Sequence, residues 1–180
     1  MLLLTIPISP EGWDPVKEEF IESKTQVLRL EHSLVSLSKW ESKWCKPFLS
    51  QEEKTLDETI DYIKCMTITQ NVDSNVYNFL DNNNIKAIND YIGAPMTATT
   101  FNEEQKGGKK EIITSELIYY WMISLNIPME CQKWHLNRLL TLIRVCNIKN
   151  APAKKQSRRD TINQYASLNA ARRKKLNTKG

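Results

Sequence analysis

Glycine is scarce in this chain. Five glycines in 180 residues argue against many short strands joined by tight turns and favour a helix-biased fold. Long apolar runs are missing too. The longest candidate, Ile112 to Ile127, is interrupted by Glu116, Ser124 and Asn126, and so falls short of the roughly 18 to 20 apolar residues a membrane-spanning helix needs. The apolar start, Met1 to Ile8, has no basic segment before it and is broken by Pro7, with Pro10 close behind. It reads as a first strand rather than a secretory leader. The four cysteines, Cys45, Cys65, Cys131 and Cys146, form no CxxC pair. That pattern points to reduced thiols in an intracellular setting and not to a disulfide framework.

Charge, by contrast, is present and unevenly placed. From Lys154 to the end there are nine basic residues (Lys154, Lys155, Arg158, Arg159, Arg172, Arg173, Lys174, Lys175 and Lys179) against Asp160 alone. This stretch therefore carries +8 of a net +4, leaving −4 on the rest of the chain. A mildly acidic body, 1–150, followed by a basic tail, 151–180, is the expected organisation.

Periodicity orders the body. Leu2 to Ile6 and Lys24 to His32 read as two pairing strands, the second alternating Leu28 and Leu30 with Arg29 and Glu31. Trp13 and Phe20 lie in their connection. Leu34, Leu37, Trp40 and Trp44 recur at helical spacing and predict a helix stopped near Pro47. Ser50-Gln51-Glu52-Glu53 has the form of a capping box and predicts a helix from about Gln51 to Cys65. Asp73-Ser74 predicts a short helix through Leu80. Asn82 to Asn84 is read as a break before a helix from Ile85 to Ile92, closed by Gly93 and Pro95. The polar run Glu103 to Lys110 is read as an exposed loop.

Thr114-Ser115-Glu116 then opens an apolar helix ending before Pro128, and a second helix is predicted from Met129 to Asn147. Their short joint predicts an antiparallel αα-hairpin at the centre of the core. The expected fold is thus mainly α: a helical body around a C-terminal αα-hairpin, with a small N-terminal β-hairpin and a flexible or partner-ordered basic tail. In that tail Ile162, Tyr165, Leu168 and Leu176 are too sparse for a core.

Few residues suggest chemistry. Cys131 and His135, four apart on the predicted helix, have the spacing of two metal ligands, but the only other histidine is His32 and Cys146 lies three turns away. The expected state is a packed thiol and a satisfied imidazole, with no metal and no cofactor. No carboxylate pair stands out as acid and base, and Gly107-Gly108-Lys109-Lys110 lacks the spacing of a phosphate-binding loop. The chain is therefore expected to be no enzyme.

Binding is better represented. Trp134 and Arg138 would share a helical face and are residue types favoured as interface anchors. The candidate partner-binding residues are accordingly Trp134, Arg138, Lys154, Lys155, Arg158, Arg159, Arg172, Arg173, Lys174 and Lys175. The basic tail could meet nucleic acid through phosphates, dock on an acidic protein face, or stay solvated.

Two stretches carry a resemblance. Ile113-Thr114-Ser115-Glu116-Leu117-Ile118-Tyr119-Tyr120-Trp121-Met122, continued by Ile127 to Leu140, and the ending Leu168-Asn169-Ala170-Ala171-Arg172-Arg173-Lys174-Lys175-Leu176-Asn177 look like small proteins of tailed bacteriophages. In size, helical character and basic extension the chain is similar to tail assembly chaperones of long-tailed phages. The resemblance implies a binding role in the host cytoplasm, toward tape-measure or tail-tube protein, with a homo-oligomer possible. A structural virion component at the head-tail junction or baseplate is the first alternative. A nucleic-acid-binding protein acting through the tail is the second, and the acidic body counts against it.

Overall fold

The structure, a computed structural model, describes residues 1–8, 12–14, 19–21, 24–101, 112–151 and 158–177, with backbone alone at 12–14, 19–21, 158–161 and 164. The chain divides into two units, Met1–Asn147 and Ile148–Gly180. Most of the described residues are helical.

In the first unit, β1 (Leu2–Pro7) pairs antiparallel with β4 (Thr25–Leu30), Leu4 opposite Leu28 and Leu2 opposite Leu30. Alternation decides which side is buried: Leu4, Ile6, Leu28 and Leu30 point inward while Leu3 and Thr5 stay exposed. Inside the connection a second small ladder joins β2 (Gly12–Asp14) to β3 (Glu19–Ile21). The side chains of Trp13 and Phe20 lie outside the described residues.

Helix α1 (Leu34–Trp44) has the predicted bounds. Ser33 accepts from the Ser36 amide and Ser36 returns the bond, so two orphan amide groups of the first turn are satisfied together. Helix α2 (Leu56–Met66) begins later than predicted. Its capping box is Thr55 with Glu58, not Ser50 with Glu53. Both tetrads have the right letters, and tertiary contacts choose between them. Glu58 also pairs with Lys46 at 2.6 Å, and the Trp40 indole donates to the Glu58 carbonyl at 2.8 Å.

A 3-10 turn follows at Ser74–Phe79, capped by Asp73. Helix α3 (Asn82–Gly93) starts earlier than the sequence suggested. Asp81 accepts from the Asn84 amide at 2.7 Å, and this cap turns the three asparagines into the first helical turn instead of a break. Thr114 caps α4 (Ser115–Ser124). The helix predicted from Met129 is a larger departure: Met129–Lys133 is a 3-10 turn and α5 runs Leu136–Asn150. After the 3-10 turn Trp134 is extended and His135 bridges to Ser33, so the helix waits until Leu136.

Two apolar clusters fill this unit. The first joins Leu4, Ile6, Leu28 and Leu30 to Trp40 of α1, Tyr62, Ile63 and Met66 of α2, Val76 and Tyr77, and Ile88 and Tyr91 of α3. The second joins Leu34 and Leu37 of α1 to Ile118 and Met122 of α4, then Ile127, Cys131, Leu136, Leu139 and Ile143. Helix α1 thus serves both clusters, whereas α4 and α5 serve the second. The central place expected for the αα-hairpin belongs to α1.

In the second unit α6 (Arg158–Leu176) is a 19-residue helix whose described side chains are all exposed. Among the described residues no helix is long and apolar enough to cross a membrane. The polar loop expected at Glu103 to Lys110 lies outside the described residues.

Candidate partner-binding site

Helix α4 is apolar around nearly its whole circumference, yet only one side is covered. Ile118 and Met122 are fully buried, while Tyr120 and Ile123 are 63% and 67% exposed and Leu117 and Trp121 are half-buried. Ile112 before the helix and Met129 after it add further exposed apolar surface. A surface helix of a lone domain ordinarily turns polar residues outward, so the uncovered apolar groups here make this side of α4 a candidate docking surface.

Beside this stretch of chain, Trp134 ends the 3-10 turn and Arg138 stands in the first turn of α5. Their meeting does not come from a shared helical face, because Trp134 precedes the helix. The Arg138 guanidinium lies over the indole, 4.2 Å from the ring centroid, an attraction between cation and ring face. Trp134 is half-buried and Arg138 exposed, so the stack is presented outward, and a planar guanidinium is the group best shaped to take a carboxylate.

Of the basic candidates, Arg172, Arg173, Lys174 and Lys175 are exposed on the last turns of α6, where positive charge also suits the helix dipole. Arg158 and Arg159 lie in its first turn as backbone, and Lys154 and Lys155 lie outside the described residues. Trp134 and Arg138 are therefore brought together in the first unit, and the four residues from Arg172 to Lys175 in the second.

The proposed metal spacing dissolves. Cys131 sits on the 3-10 turn and His135 on the extended segment after it, so helical spacing no longer relates them. His135 is also occupied at both ring nitrogens: Nε2 donates to the Tyr91 carbonyl at 3.0 Å and Nδ1 accepts from the Asn137 amide at 3.3 Å. Among the described residues no three His, Cys, Asp or Glu side chains converge as a metal site would require.

What sequence reading missed is a buried polar node linking the two clusters. His32 Nδ1 lies 2.6 Å from the Tyr62 hydroxyl, and its ring meets that of His135 edge to face. The Tyr91 hydroxyl donates to Glu31 at 2.6 Å, and the Leu136 amide donates to the His32 carbonyl. Burial, assisted by the neighbouring His135, lowers the His32 pKa from 6.5 to about 4, and burial lowers His135 as well. Burial holds the Tyr62 phenol well above its ordinary value. His32, His135 and Tyr62 are thus neutral and hydrogen-bonded at neutral pH, which describes an internal seam.

A second polar clasp is Glu41, buried on α1. One carboxylate oxygen accepts from the Phe48 amide at 2.8 Å and the other from the Ser115 amide at 2.7 Å. It thereby fixes the chain after α1 and the start of α4 to a single side chain. Comparison with protein-family models, curated proteins and solved structures finds no match to this chain.

Proposed function

We propose that this protein is a tail assembly chaperone of a long-tailed phage, binding tape-measure protein during tail morphogenesis and acting by contact, not by catalysis. The reading starts from the resemblance seen in two segments of the sequence. The observation that carries it is the uncovered apolar side of α4, with the Trp134 and Arg138 stack close by in sequence. A chaperone for an apolar, aggregation-prone client needs accessible apolar groups on a folded body, and aromatic and arginine anchors are what such contacts use. The role places it in the host cytoplasm, with tail-tube protein as a further partner.

The first test is co-expression with a tape-measure segment that is insoluble alone. Retention of the segment in the soluble fraction, lost with Ile123→Asp and Trp134→Ala together, is the expected result; a segment that precipitates regardless removes the reading. Mass spectrometry of purified particles beside infected-cell lysate then separates a transient chaperone, abundant in lysate and absent from particles, from a virion component present at fixed copy number.

A second reading rests on α6. An exposed basic helix forming its own unit is also what an arm threaded into a neighbouring virion subunit would look like, and a fixed copy number in particles would select it.

A further inference from the structure

Helix α6 buries none of its described side chains, so ordering of its 19 residues draws on no core. Most helical stability in proteins comes from packing a face against something else. Ile162, Tyr165, Asn169, Arg172 and Leu176 follow one another at alternating intervals of three and four, the spacing of a single coiled-coil seam. Ile162, Tyr165 and Leu176 are 58%, 64% and 70% exposed. Beside the seam stand Ala166 and Leu168 in its first half and Arg173 and Lys175 in its second, while Lys174 faces away from it by the same spacing. Along the seam Ile162 and Tyr165 are apolar, Asn169 and Arg172 are polar and Leu176 is apolar again, with the positive charge gathered around Arg172.

We infer that α6 is a docking helix for an acidic, amphipathic helix of another protein. This inference deepens the proposed function, on which it rests, by naming the kind of partner segment that the tail takes. The partner carries apolar residues opposite Ile162 and Tyr165 and carboxylates opposite Arg172, Arg173 and Lys175. Charge complementarity decides the occupant. A parallel second copy would set Arg172 against Arg172, and an antiparallel copy would bury Arg172 against Ile162 with no counter-charge. A phosphate backbone would satisfy the basic end but leave Ile162, Tyr165 and Leu168 in water. A lipid surface asks for a continuous apolar face, which Asn169 and Arg172 interrupt.

The test uses the full chain and a labelled synthetic helix of about four heptads with Leu at both seam positions and Glu flanking them, read by fluorescence anisotropy and amide hydrogen exchange. The native chain is expected to bind it and to gain protection over 162–176. Arg172→Glu with Arg173→Glu weakens binding by about tenfold or more, as does Ile162→Ala with Tyr165→Ala. A matched helix with Lys in place of Glu prefers the charge-reversed chain. Absence of binding, or equal binding of the acidic and basic helices, overturns the inference. So does tight binding of a DNA duplex that falls steeply with salt and ignores the Ile162 and Tyr165 changes. If the acidic helix fails while the chain still keeps the tape-measure segment soluble, this inference falls alone; if both fail, the proposed function falls with it.

Discussion

The rings of His32 and His135 meet edge to face with centroids 5.2 Å apart, one at the end of the strand leading into α1 and the other just before α5. His32 is 2% exposed and His135 6%. The Nδ1 of His135 already accepts a backbone N–H, so a proton arriving there would set two donors against each other.

Stability should therefore fall with acid. The folded pKa of His32 lies below its unfolded value, so the unfolded chain binds more protons between pH 6.5 and about 4 and stability rises with pH across that window. The stabilisation is full above pH 6.5 and is lost as pH falls toward 4, on the order of 3 kcal/mol for His32 alone. Thermal melts at steps through this range should show the loss, and His32→Asn should flatten it. A melting temperature unchanged from pH 7 to 4.5 would contradict the seam.

Removing Glu41 should be costly. Glu41→Ala strands the amides of Phe48 and Ser115, and with each charge-assisted bond contributing about 1.5 to 3 kcal/mol the loss should be about 3 kcal/mol or more. Glu41→Gln keeps one acceptor and should lose less. Urea denaturation orders the two variants.

The two competing capping boxes can be told apart by alanine. Thr55→Ala should cost about 1 kcal/mol, as loss of an occupied N-cap does, whereas Ser50→Ala should be nearly neutral because Ser50 caps no helix. Equal effects in chemical denaturation would mean that α2 starts elsewhere.

At the surface, Arg138→Lys should change stability by less than about 1 kcal/mol yet weaken capture of a tape-measure segment, whereas Trp134→Ala should weaken capture and also cost stability, because the indole packs against the second cluster. Lysine keeps the charge but loses the planar group that stacks on the indole. Removal of 154–180 should leave the melting temperature of the body within a few degrees, since no described residue beyond Ile143 is buried.

Much of the fold was legible because its signals are local. The alternation of Leu28 and Leu30 placed β4, and Leu34, Leu37, Trp40 and Trp44 gave α1 its bounds. Asp73 and Thr114 announced the elements they cap. Of the candidate residues, Trp134 and Arg138 do meet, although their contact arises from a stack across a helix start and not from helical spacing. The exposed side of α4 was not legible, because its residues look like core residues until the packing leaves one side open.

By itself the sequence determined a helix-rich chain with a short antiparallel strand pair, an acidic body and a basic tail, since composition and periodicity act over a few residues at a time. The tertiary structure decided the rest. It selected Thr55 over Ser50 through Glu58 and its contacts with Lys46 and Trp40, gave α1 and not α4 or α5 a place in both clusters, and delayed α5 until Leu136 by pairing His135 with Ser33. It also joined His32 to His135 and Glu41 to Ser115. Each of these links residues far apart in the chain, where short-range pattern carries no information and the burial of polar groups, which must find partners, makes the choice.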